Sequence, residues 1–109
     1  MLNRRGPKRR LERVPLEIPA VMVGGMFMRV KVRDLSLGGL FFECPTPPAK
    51  GTMVTVRFTL PQERVTIEMV GEVRFRRREG AGIRVIRLPI AAREAIQRFT
   101  QSWRGPRGA

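Results

Sequence analysis

The chain has 109 residues, 42% apolar and 28% charged, and its 22 Lys and Arg against 9 Asp and Glu give a formal net charge of +13. That length fits one domain with a modest core, and that apolar fraction is globular rather than disordered. With no His and a single Cys, Cys44, the sequence excludes an intrachain disulfide, a zinc site built from Cys and His, and nucleophile pairs of the Ser-His or Cys-His kind.

Residues Met1 to Arg13 carry six basic side chains, one Glu and little apolar content, and are expected to form a flexible basic arm over residues 1–13. From Leu16 the period becomes two. Leu16, Ile18, Ala20 and Met22 alternate with other residues, and Gly24-Gly25 turns the chain. Met26, Met28, Val30 and Val32 then alternate with Phe27, Arg29, Lys31 and Arg33, a strand with a largely cationic outer face. The uncharged run from Ala20 to Met28 is far shorter than the ~20 residues that cross a bilayer. No signal-peptide core follows the basic N-terminus. A cytoplasmic protein without membrane insertion is expected.

Leu40, Phe42 and Cys44 continue on one face beyond Gly39, with Cys44 read as a small core residue. Pro45-Thr46-Pro47-Pro48 stops the pairing, because proline lacks the donor a ladder needs. Val54, Val56, Phe58 and Leu60 line another strand, and Pro61 to Arg64 make a turn. Val65, Ile67, Met69, Val73 and Phe75 line a longer one in which Gly71 marks a bend or bulge. Gly80 and Gly82 bracket the entry to the last strand, Ile83 to Ile86. After Pro89 the period is helical: Ala92, Ala95, Ile96, Phe99 and Trp103 share one face of a helix over residues 89–103. Six strands and one terminal helix point to a closed antiparallel barrel capped by that helix, over residues 14–104, with a tail at 105–109.

Two stretches hold more chemistry than this scaffold needs. Lys8-Arg9-Arg10-Leu11-Glu12-Arg13 contains an Arg-x-x-x-Arg spacing from Arg9 to Arg13, and Asp34-Leu35-Ser36-Leu37-Gly38-Gly39 reads Asp-x-Ser-x-x-Gly. A guanidinium fork fits a phosphate or the O6/N7 edge of guanine, and it stacks on a purine. A carboxylate accepts from the guanine N1 and N2 donors, and a serine hydroxyl donates or accepts at the same place. The second stretch puts Asp34 and Ser36 on one side of an extended backbone. Gly39 lets the main chain pass close to something, and Gly38 helps the turn. Each motif also has a plain structural reading. The arginines alone are more simply a solvated arm. Asp34 could close a hairpin as an Asx-turn or bridge Arg33 or Arg13.

The ordered pair of motifs, with Gly80-Ala81-Gly82-Ile83 downstream, resembles the PilZ domain, the bacterial receptor family for cyclic di-GMP; the resemblance spans about Lys8 to Trp103. It implies a six-stranded antiparallel PilZ-type β-barrel with a C-terminal helix, in which the arginine arm wraps an intercalated, often dimeric, ligand. Carried over by position, Arg9 and Arg13 would take phosphates and guanine edges, Asp34 and Ser36 would contact guanine, and Gly39 would be the motif glycine. Arg10, Gly38, Lys8 and Gly82 flank these positions. No motif position is substituted. The expected role is a stand-alone second-messenger receptor in motility or biofilm regulation. It would need no cofactor, signal by arm closure to a separate effector protein, and act as a monomer or homodimer.

Two other readings stay open: a nucleic-acid-binding small barrel, favoured by the net charge of +13 but not by the 6% aromatic content, and an interaction adaptor that keeps the fold without using the ligand. An enzyme is the least favoured class, with no His and no phosphate loop of the Walker kind.

Overall fold

The computed structural model describes residues 12–103. Arg9, Arg10 and Lys8 of the expected arm lie outside them. The chain runs β1 (Val14–Val23), β2 (Phe27–Ser36), β3 (Gly39–Glu43), β4 (Met53–Leu60), β5 (Val65–Arg77), β6 (Gly80–Arg87) and one helix, α1 (Ile90–Ser102). The strands close into a barrel in the order β1-β2-β3-β6-β5-β4, every neighbouring pair antiparallel. Closure leaves no long unpaired edge for another chain to add to.

The period-two faces fill the interior. Val32, Leu35, Leu40, Phe42, Val56, Leu60, Ile67 and Met69 are fully buried, and Cys44 is buried beside Met28, as a core residue should be. The outward faces carry opposite charges on adjacent strands: Arg57 of β4 bonds Glu68 directly opposite on β5 at 2.6 Å, and Arg84 of β6 bonds Glu72 opposite at 2.7 Å. The helix begins one residue later than expected, because Pro89 has an extended ψ of 149° and sits at the N-cap. Its apolar face, Ala92, Ala95, Ile96 and Phe99, covers the barrel end that holds the β4–β5 turn, where Arg98 clasps Glu63 at 2.9 Å.

The strand registers slip at four places, one of them between Pro15 and Ile18 of β1, and two of the four move side chains to the other face. The β2–β3 register slips between Val32 and Asp34, and the β5–β6 register slips between Val73 and Phe75. A one-residue insertion exchanges inward and outward positions for everything beyond it. Simple alternation would send Phe75 inward with Val73; past the bulge it lies on the outer face, 41% exposed. A further slip, between Val70 and Gly71, places its extra residue, Ile86, on β6, so the bulge expected at Gly71 lies on the neighbouring strand instead. Met26, expected on the inward face of β2, instead lies outside the strand, on the exposed tip of the β1–β2 hairpin.

Candidate functional site

The bulges bring the two motifs' described residues to one outer surface. Across β2, β3, β6 and β5 the register aligns Asp34, Phe41, Gly82 and Phe75 in one transverse row. The row on the far side of Leu35, Leu40 and Ile83 is Ser36, Gly39, Arg84 and Glu72. Between them opens a cleft of about 350 Å³ lined by Arg13, Ser36, Gly38, Arg74, Phe75 and Gly82, with Ile83 and Arg84.

Arg13 precedes β1 directly, and β1 pairs with β2 so that Pro15 faces Asp34. That register carries the Arg13 guanidinium to the Asp34 carboxylate, and Nη1 donates to Oδ1. The arginine side chain is 52% exposed and the aspartate 29%, so the pair is reachable from solvent and weakly held; exposed ion pairs contribute about 0.2–1 kcal/mol.

Ser36 is 2% exposed. Its hydroxyl accepts from the Gly38 amide at 3.1 Å and donates to the Gly39 carbonyl at 3.4 Å, so it organises the β2–β3 turn while lining the cleft floor. Gly39 serves the barrel rather than the opening. A Cβ there would lie 1.9 Å from the Ile83 carbonyl oxygen of β6, so the close approach that this glycine permits is to a neighbouring strand. Gly82 serves the cleft, since a Cβ would lie 2.3 Å from Phe75 Cζ and the phenyl ring rests on bare backbone. Phe41, opposite Gly82 in register, lays the end of its ring over Gly80, where a Cβ would lie 2.9 Å from Phe41 Cζ. The two rings stand 6.0 Å apart and 16° from parallel, and the Arg77 guanidinium lies 5.0 Å from the Phe75 centroid. The result is an exposed aromatic shelf beside a cationic cleft.

Reading the sequence alone missed Arg74, Phe75 and Arg84. Arg84 is held by Glu72, whereas no described carboxylate lies within ion-pair distance of Arg74. Val73-Arg74-Phe75-Arg76 alternates regularly and so hides the bulge; the irregular signal is the second consecutive arginine, Arg77. A larger depression of about 720 Å³ lies between β1 and β4, but its lining is mainly apolar and its Arg57 is already bonded to Glu68. Its other polar groups are Arg29 and the Thr59 and Thr66 hydroxyls, which bond each other at 3.2 Å, and neither signature stretch reaches it, so the smaller cleft is the better candidate. No group of three or more metal-ligating side chains occurs among the described residues.

The PilZ domain family model matches residues 7–102. Among solved structures, the chain is similar to the Bacillus subtilis inhibitor of motility MotI/DgrA, with a TM-score of 0.74 and 15% identity over 93% of this chain and 51% of that one. It is thus about half the length of that protein. The PilZ domain of CeSA from a cellulose-synthesizing bacterium is also similar, with a TM-score of 0.62 and 19% identity over 83% of this chain and 95% of that domain. At these identities the two structures speak for the fold. No curated protein matches the chain.

Proposed function

The chain belongs to the PilZ domain family, and on that premise we propose that it is a cyclic di-GMP receptor whose ligand sits in the cleft between Arg13 and Phe75. The observation that carries the reading is the convergence of an exposed guanidinium, a carboxylate and an aromatic shelf around one opening. A cyclic guanine dinucleotide presents two phosphate charges, two planar bases and both donor and acceptor edges. Each has a counterpart here. Arg13 and Arg74, which has no ion-pair partner among the described residues, suit phosphate or the O6/N7 edge. Asp34 suits the N1 and N2 donors. Phe75 offers a face on which a purine can stack.

The Arg13–Asp34 bond gives the site a resting state. It is weak enough to open when ligand arrives, and each partner then exchanges one charged contact for contacts to the ligand. Arg9 and Arg10 belong to the same lead-in, and we place them over the outer side of the bound nucleotide. Ordering that arm subtracts from affinity and creates a new surface for an effector protein. The process we propose it controls is motility, the word in one neighbour's name, or cellulose synthesis, the words in the other's. Calorimetric titration of the full chain with cyclic di-GMP tests the proposal.

A further inference from the structure

At the barrel end remote from the helix, the β1–β2 hairpin carries an apolar tip. Val23 and Phe27 face each other across the Gly24-Gly25 turn on the outer surface, 49% and 69% exposed, with Met26 between them at 61%. Met53, at the start of β4, adds a fourth exposed apolar side chain at 49%. The two strands are close here, since a Cβ at Gly24 would lie 3.3 Å from the Met53 carbonyl and 2.5 Å from Val54 Cγ1. Contiguous apolar exposure of this kind marks a contact surface.

The tip leads straight into a cationic track. Beyond Phe27 the outer face of β2 continues with Arg29 and Lys31. A shallow groove of about 430 Å³ joins those two to Arg78 past Pro45, with Glu43 and Glu79 also on its wall, and a second of about 490 Å³ continues from Pro45 to Arg76 and Arg77. Lys31 is bonded to Glu17 and Glu43 to Arg33. No described carboxylate lies within ion-pair distance of Arg29, Arg76 or Arg78. The surface is therefore an apolar projection bordered by more guanidinium groups, Arg29, Arg76 and Arg78, than Glu79, the one carboxylate beside them without an ion-pair partner among the described residues, can balance.

We propose that this end of the barrel docks on an anionic lipid surface, with Phe27 and Met26 at the boundary of headgroups and acyl chains and Arg29, Arg76 and Arg78 on the headgroup phosphates. A second copy of the chain is a poor occupant, because it would set like-charged borders against each other. A protein occupant would need a concave apolar socket to receive a convex tip, whereas a bilayer interface accepts one without prior shape. Anionic headgroups supply the charge the track lacks. The tip spans nothing, so the absence of a long apolar helix among the described residues does not bear on it. The apolar tip and Ser36 of the cleft lie at opposite ends of β2, about 30 Å apart along the strand, whereas the track ends beside the cleft, where Arg77 lies 5.0 Å from the Phe75 centroid.

The test is sedimentation of the full chain with phosphatidylglycerol–phosphatidylcholine vesicles and with phosphatidylcholine vesicles alone. Binding is expected to the anionic vesicles only, and to weaken with salt. Phe27→Ser and Met26→Ser are each expected to lower partitioning roughly tenfold, with unchanged thermal unfolding. Phe27→Trp reports depth: brominated lipid should quench its added fluorescence, while the wild-type chain, whose one Trp is Trp103 beyond the far end of the barrel, should not be quenched. Equal binding by Phe27→Ser, or no quenching in Phe27→Trp, would mean attraction by charge alone and would overturn the proposal. So would failure to bind anionic vesicles, or binding to a single-stranded oligonucleotide through Arg29 and Arg78 in their place.

Discussion

Arg13 and Asp34, 21 positions apart in the chain, meet as an exposed ion pair at the mouth of the cleft. This contact makes their substitutions unequal. Arg13→Ala removes a cation and leaves the Asp34 charge facing an anionic ligand. Asp34→Ala removes an acceptor but also a repulsion. Arg13→Ala should weaken cyclic di-GMP binding about 10- to 100-fold, the range for a charged hydrogen bond, and Asp34→Ala should weaken it less. The double variant should fall short of the sum, because the partners couple. Thermal unfolding should move by no more than about 1 kcal/mol in any of the three. Calorimetry and melting curves on the same preparations check both statements.

Phe75 and Gly82 should separate binding from folding. Stacking a base on an aromatic ring contributes about 1–3 kcal/mol, so Phe75→Ala should cost about 10- to 100-fold in affinity and Phe75→Trp should retain it. In Gly82→Ala the new methyl collides with the outer end of a surface ring, 2.3 Å from Cζ. That ring can swing away, so stability should change little while affinity falls as in Phe75→Ala. A Gly82→Ala chain that binds normally would remove Phe75 from the site.

Gly39 and Ser36 should behave in the opposite way. At Gly39 the obstruction is backbone, the Ile83 carbonyl at 1.9 Å, which cannot yield without parting β3 from β6. Gly39→Ala should destabilise the barrel by about 3 kcal/mol, a large share of the roughly 5–15 kcal/mol such domains possess. Ser36→Ala leaves the Gly38 amide without its acceptor and should cost about 1–3 kcal/mol. Urea unfolding midpoints measure both.

These differences mark where reading the sequence succeeds and where it stops. The strands and helix were legible because the side chains obey periods of two and 3.6 over long runs: Val54, Val56, Phe58 and Leu60 all point inward, and Ala92, Ala95, Ile96 and Phe99 share one face. The signature residues were legible as chemistry. Their arrangement was not, because it depends on the bulges at Arg33 and Arg74, each of which inserts one residue and turns its successors to the other face. Local sequence does not say which strand accommodates the extra residue. For that reason Phe75 read as core, Arg74 read as an ordinary outer-face residue, Arg84 went unnoticed, and the role of Gly39 became visible only with Ile83 beside it.

Arm closure has its own readout. If Arg9 to Arg13 fold over the ligand, their backbone amides should exchange more slowly with solvent once cyclic di-GMP is added, while amides of the core strands β3 and β6 change little. Unchanged exchange at Arg9–Arg13 with ligand bound would confine recognition to the cleft and remove the switch.

The most direct test of the central claim is a calorimetric titration of the full chain with cyclic di-GMP at low and high salt, repeated with a short single-stranded oligonucleotide as competitor. The account predicts a dissociation constant of about 1 µM, on the order of −8 kcal/mol, with a shallow salt dependence set by two ligand charges and no displacement by the oligonucleotide. The absence of binding at millimolar ligand, or steep salt dependence with full displacement by the oligonucleotide, would contradict it.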